Sequence, residues 1–303
     1  MIRESWEGRI VDGKYALLEW LGGSGDRGVF LTVLDGIQRA AIKLILAEGA
    51  DADAFLAQWE AAKTLSNPHL MPVLRTGQCE IAGTHVVYIV TEHAEKVLAR
   101  FLPEKPLRAH EAKNIFEPVL FALSYLHENG FVHGHIKPSN ILVSGGELKI
   151  STDDFLVAAG VSKPPRNPGI HDAPEVAAGS LTPAADIWSV GISIIEALTQ
   201  HPPAWDKSTH SEPIVPESLP QPFPEIVREC LRLDPAQRST IRDIEARLNT
   251  APPLPVATEP VAASSEQVAA APRPIGKSKL FEPAPFPSRL FEDVEESTRS
   301  RFP

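Results

Sequence analysis

The chain has 303 residues, 43% of them hydrophobic, and a formal charge of −10. That length suits one sizeable core with a tail, and the acidic balance excludes nonspecific binding to nucleic acid or to an anionic membrane surface, both of which reward clustered Lys and Arg. Cys79 and Cys230 have no metal or redox spacing, which points to a reducing cytoplasm; Met1 to Trp6 lacks the apolar centre of a signal peptide, and no run approaches the ~18 apolar residues of a membrane span.

Residues 10 to about 100 read as mostly strand. Val29 to Leu34, the turn pair Asp35-Gly36, and Ile37 to Ile45 form a hairpin signal. Asp51 to Leu65 follows with Phe55, Leu56, Trp59 and Leu65 near helical spacing, and Val86 to Val90 is a short buried strand. From about residue 107 the period turns helical: Ala112, Ile115, Phe116, Val119, Leu120, Leu123 and Leu126 share one side of a segment ending at Asn129-Gly130. Pro118 lies inside it, where proline predicts a kink. A second hairpin spans Ile141 to Ile150, an apolar helix covers Ala185 to Leu198, and a last helix covers Thr240 to Leu248. After Asn249 the composition shifts to Pro and Ala with no periodic apolar pattern, which predicts a disordered tail. Within it Lys279-Leu280-Phe281-Glu282 recurs as Arg289-Leu290-Phe291-Glu292, two aromatic anchors suited to docking a protein partner.

Three clusters carry chemistry. Gly23-x-Gly25-x-x-Gly28 lies between two strands, where glycines let backbone N–H groups approach phosphates. Ala41-Ile42-Lys43 follows in the next strand, and Glu60 sits mid-helix in the segment after it. The third is His133-Gly134-His135-Ile136-Lys137-Pro138-Ser139-Asn140.

That third run resembles the catalytic loop of eukaryotic-like protein kinases, His-Arg-Asp-x-Lys-Pro-x-Asn, in which Asp takes the substrate hydroxyl proton and Asn holds magnesium. The glycine run and Ala41-Ile42-Lys43 resemble the family's phosphate loop and its phosphate-binding lysine, and the resemblance implies Glu60 as the ion-pair partner of Lys43, a pairing that suits a lysine too costly to bury without a carboxylate. Ala173-Pro174-Glu175, Asp186-Ile187-Trp188-Ser189-Val190-Gly191 and Cys230 to Ser239 resemble its architectural motifs, and Gly13-Lys14-Tyr15 is similar to the lead of bacterial serine/threonine kinases. The resemblance implies an α+β, two-lobed kinase-like fold. Residues 1–12 form a lead, 13–100 a small antiparallel-sheet lobe with one helix, 101–249 a mainly helical lobe, and 250–303 the tail. It also implies that Asp186 anchors the catalytic loop and that Glu175 and Arg238 form a buried pair.

Departures from the family concentrate on the reaction side. His135 stands at the base position and Gly134 replaces the Arg that would clamp an activation-segment phosphate. The metal-binding Asp-Phe-Gly falls on Thr152-Asp153-Asp154 without gaps, or on Asp154-Phe155-Leu156 with two extra residues, the register favoured here because it keeps a carboxylate near Asn140. Pro168 and His171 replace the residues that support substrate and base; a metal site from His133, His135 and His171 is disfavoured. The expectation is an ATP-binding pseudokinase. Gly23, Gly25, Gly28, Lys43 and Glu60 would serve the nucleotide, Asn140 and Asp154 a weakened magnesium site, and His135 and Lys137 the degenerate catalytic position. A slow serine/threonine kinase and a nucleotide-free scaffold are the alternatives.

Overall fold

In the first hundred residues, alternating apolar positions become a five-stranded antiparallel sheet. Its strands are β3 (Glu19–Ser24), β4 (Arg27–Leu34), β5 (Gln38–Leu46), β6 (Val73–Ile81) and β7 (Thr84–Glu92), in the order β3-β4-β5-β7-β6. The computed structural model describes residues 1–153, 157–158, 169–177, 179, 181–206 and 211–250. Asp154, Phe155, Leu156, Pro168 and the tail with Leu280–Glu282 and Leu290–Glu292 lie outside the described residues. The β4–β5 turn is the predicted Asp35-Gly36, both with positive φ (52° and 78°), as a type I′ hairpin requires.

Both faces of the sheet are covered. Phe30, Ile42, Leu44, Val86, Tyr88 and Val90 pack on the outer face under Ile2, Trp6, Val11 and Leu17, so the first residues of the chain, with the ribbon β1 (Ile10–Val11) and β2 (Tyr15–Ala16), are part of the core. Ile45, Val87 and Ile89 face inward under Ala52 and Trp59 of α1 (Gly49–Ala62).

After β7 the chain forms β8 (Lys96–Val97), α2 (Leu98–Phe101) and α3 (Ala109–Glu128). Helix α3 runs through Pro118 as one element. An interior proline costs ~3 kcal/mol. Here Ile115, Phe116, Val119, Leu120, Leu123 and Leu126 are all buried, and at ~1.5–3 kcal/mol per large apolar side chain their packing outweighs that cost. Next come β9 (Phe131–Val132), a 3₁₀ turn at Pro138–Asn140, β10 (Ile141–Ser144), β11 (Glu147–Ile150) and β12 (Val157–Ala158). Helices α4 (Pro174–Ala177), α5 (Pro183–Thr199), α6 (Phe223–Cys230) and α7 (Ile241–Thr250) follow. Helix α5 starts on Thr182-Pro183 and stops at Gln200 in the left-handed region, a conventional start and stop. The expected sheet lobe and helical lobe are both present. Among the described residues no helix is long and apolar enough to cross a membrane.

Candidate active site

Strand register sorts the glycines by face. Gly22 pairs with Val29, Val29 with Lys43 and Lys43 with Ile89, whereas Gly23 pairs with Gly28, Gly28 with Leu44 and Leu44 with Tyr88. Directly opposed residues in antiparallel strands project to the same side. Gly23 and Gly28 therefore belong to the outer face, away from Lys43. A Cβ on Gly23 would lie 2.4 Å from the Arg27 carbonyl and 2.8 Å from the Trp20 ring; one on Gly28 would lie 2.4 Å from the Ile2 side chain. These two positions need glycine so that Trp20 and Ile2 can pack, a requirement that the spacing alone did not reveal. Gly25 lies in the β3–β4 turn with φ 61°, and Gly22, which spacing did not single out, opens onto the Lys43 side with φ 145° and no atom within 4 Å of a Cβ. Arg100 of α2 donates to the Leu21 carbonyl at 2.6 Å, tying the helical lobe to this strand.

Lys43 is buried and forms an ion pair with Asp153 at 3.1 Å. The expected Lys43–Glu60 pair does not form. Glu60 keeps 59% of its side chain exposed and bonds to Lys63 and Thr76. The reason is helical phase: α1 turns Ala52, Trp59 and Ala62 inward, and the residue after Trp59 is rotated about 100° toward water. Trp59 supplies a further link, donating from Nε1 to the Asp153 carbonyl at 3.1 Å. Gln58 flanks Trp59 on the other side, and its amide nitrogen is buried without a hydrogen-bond partner among the described residues. Thr152 points elsewhere, donating to the Met71 carbonyl at 2.7 Å. Among the described residues the carboxylate beside Lys43 thus comes from Asp153, to which sequence reasoning gave no role. The gap-free register was the available signal.

The loop from His133 to Asn140 hangs on Asp186. This fully buried carboxylate at the start of α5 accepts from the His133 N–H at 2.9 Å and the Gly134 N–H at 2.7 Å, and contacts His127 Nε2 at 2.8 Å. Gly134 has φ 73°, so the loop bends there through a conformation suited to glycine. The far end is held as well: Asn140 Nδ2 donates to the His135 carbonyl at 2.9 Å and Ser193 donates to the Ile136 carbonyl at 3.2 Å. The histidines of the disfavoured metal site take separate partners, His133 the Ser151 carbonyl and His171 the Glu196 carboxylate.

His135 has a carboxylate on one ring nitrogen and an ammonium on the other. Nδ1 lies 2.9 Å from Asp172 Oδ1, and Nε2 lies 2.7 Å from Lys137 Nζ. An ammonium can only donate and an ionised carboxylate can only accept. The two partners therefore define the neutral tautomer with the proton on Nδ1. Burial by itself would push the Asp172 carboxyl up, but the hydrogen bonds from the His135 ring and the Gly169 N–H hold it below the ordinary range. Asp172 belongs to a segment fixed on α5, where Trp188 donates to the Ile170 carbonyl and Ser189 to the His171 carbonyl. Just beyond, Glu175 and Arg238 form the expected buried pair, with two contacts at 2.6 and 2.8 Å and the Arg238 side chain 1% exposed. Sequence reasoning missed Asp172, because a lone Asp before Ala173-Pro174-Glu175 carries no spacing signal.

Residues 15–247 match the family described as protein kinase domain. The serine/threonine-protein kinase PrkC of Bacillus subtilis is 29% identical over 275 residues, covering 80% of this chain and 41% of PrkC. The serine/threonine-protein kinase PknB of Mycobacterium tuberculosis is 26% identical over 257 residues, 75% of this chain and 41% of its own length. The chain thus spans well under two thirds of these relatives. Among solved structures, the kinase domain of Mycobacterium tuberculosis PknI superposes with a TM-score of 0.63 at 23% identity, covering 80% of this chain and 98% of that one.

Proposed function

Since the chain belongs to the protein kinase family, we propose that it binds ATP against the Lys43 face of its sheet and acts as a pseudokinase, signalling through conformation or docking rather than by phosphorylating other proteins. The observation that carries this reading is the engagement of both His135 ring nitrogens, by Asp172 at 2.9 Å and Lys137 at 2.7 Å. A base at that position must take up a proton, and a proton on Nε2 would put positive charge 2.7 Å from the Lys137 ammonium.

The nucleotide half of the proposal rests on Lys43, the open backbone at Gly22 and Gly25, and the Asp153 carboxylate that orients the lysine. In this family such a lysine contacts the nucleotide phosphates. Asn140 spends its amide N–H on the His135 carbonyl, leaving its oxygen as the ligand it can offer magnesium. Asp153, and Asp154 outside the described residues, would add carboxylates. Bound there, magnesium would neutralise phosphate charge. The Leu-Phe-Glu segments at Leu280–Glu282 and Leu290–Glu292 are the proposed docking elements; a synthetic tail peptide that binds no partner would remove that part.

A thermal-shift titration with ATP, with and without magnesium, tests the nucleotide site. Saturation at one hundred times Kd stabilises by ~2.7 kcal/mol, a rise of roughly 5–10 °C for a domain of this size, absent in Lys43→Ala. A second reading, a slow serine/threonine kinase with His135 as base, is favoured by the Asp172 contact, which gives the imidazole an orienting carboxylate. Acid-stable label from γ-phosphate-labelled ATP on protein Ser or Thr, lost in Lys43→Ala, would establish that reading and overturn the pseudokinase.

A further inference from the structure

His135 carries more than the features of a lost base. Its tautomer leaves the Nε2 lone pair as the nucleophilic atom of the ring, and Asp172 holds Nδ1–H at 2.9 Å. The backbone on both sides is fixed, by Asp186 on the Gly134 N–H and by Asn140 on the His135 carbonyl. This is the arrangement of an activated nucleophile: a reactive nitrogen, a carboxylate that orients it, and little freedom to misplace it. The loop position matters equally. A carboxylate there would face the hydroxyl that accepts the phosphoryl group. The imidazole is longer than an Asp side chain, so its Nε2 reaches toward the place of that hydroxyl oxygen. Lys137 Nζ, 2.7 Å from Nε2, lies where it would neutralise the oxygens of a group bound to that nitrogen.

We infer that His135 is itself a phosphoryl acceptor, phosphorylated on Nε2 by ATP held against the Lys43 face; this rests on the nucleotide reading above. In the step, the Nε2 lone pair forms the N–P bond as the bond from the γ-phosphorus to the bridging oxygen breaks, and ADP departs with that electron pair. No proton must leave. The ring becomes a phosphorylated imidazolium with its proton on Nδ1, and the Asp172 carboxylate balances its charge. Lys137 transfers its hydrogen bond from the nitrogen to the phosphoryl oxygens. Asp172 is then a positioning residue, kept ionised by its low pKa.

The test uses the full chain in three parallel arms. The first is incubation with γ-phosphate-labelled ATP and magnesium, followed by site mapping under alkaline conditions. The second is the ATP thermal shift, and the third is incubation with phosphoramidate, a small phosphoryl donor that needs no nucleotide. The expected result is one label, stable in alkali and lost in acid, on His135 among the ten histidines. It should be absent in His135→Gln and slowed at least tenfold in Asp172→Asn, whose ATP shift is unchanged. Phosphoramidate should label His135 ahead of the exposed His110 and His201. A normal ATP shift with no acid-labile label overturns the inference, as does phosphoramidate labelling that ignores His135. Selective phosphoramidate labelling without any ATP shift supports the acceptor and removes only the nucleotide reading.

Discussion

Replacing Asp186 by Asn tests whether one buried carboxylate sets the shape of the reaction loop. The substitution conserves volume, so any loss comes from hydrogen bonding and charge. Asp186 holds the His133 N–H, the Gly134 N–H and the His127 ring at 2.9, 2.7 and 2.8 Å, and is fully buried. An Asn there keeps one acceptor oxygen. Turned to serve His133 and His127, it points its NH₂ at the Gly134 N–H, and that donor is orphaned. Losing a hydrogen bond to a charged group costs ~1.5–3 kcal/mol, and each retained bond falls to roughly half its charged strength. Part of this is returned, because a neutral amide is less costly to bury than a carboxylate. The net expectation is a loss of about 2–4 kcal/mol. Urea denaturation would read it as a midpoint lower by about 1 M at a slope near ~3 kcal/mol/M. Hydrogen exchange localises it: the Gly134 amide should exchange much faster in Asp186→Asn than in the wild type, while amides in β5 and β7 follow only the global change. A midpoint shift below about 0.3 M, or unchanged protection at Gly134, would show that the loop holds its shape without this carboxylate.

Arg238→Ala should cost about 3–5 kcal/mol, since it strands Glu175 and the carbonyls of Ala184 and Arg232; in a double-mutant cycle Glu175→Gln should lose much of its effect in that background, and additivity of the two would sink the pairing argument. Glu60→Ala should leave the ATP-induced thermal shift as it is while Asp153→Asn reduces it, because Lys43 pairs with Asp153 and Glu60 does not; the reverse order refutes the assignment. Asp172 is held below its ordinary value of 3.8, so its contribution is complete above the unfolded value and is lost as pH falls through the lower folded one. Asp172→Asn should therefore flatten the acid limb of a stability profile below about pH 4 and not its neutral region. The Cys230 thiol is pushed up to about 12 by burial, so alkylation at neutral pH should proceed only on unfolding; rapid labelling of the native protein contradicts its burial between α5 and α6.

Much of the fold was legible because its signals are local. Asp35-Gly36 names its own hairpin, and the apolar run from Ala185 to Leu198 lies within α5. The order of the protein-kinase motifs, from Lys43 through Asn140 to Arg238, identified the two lobes, and Asp186 and Glu175 took the anchoring roles assigned to them. Helix α6 and the short α2 were not read, and α3 runs through Pro118 as one helical element.

The sequence by itself determined the family, the lobes, and the presence of His135 where a carboxylate would serve. Those follow from residue types at fixed spacings, and spacing along a chain is what sequence records. Tertiary structure decided which side chains meet. Strand register sent Gly23 and Gly28 to the outer face and Gly22 to the inner one, helical phase turned Glu60 to water and Trp59 inward, and α5 carried Asp172 against His135 across 37 residues of chain. A side chain's face depends on register and phase, and its partner depends on how elements pack. The Lys43–Asp153 and Asp172–His135–Lys137 contacts therefore became readable only once the chain was folded.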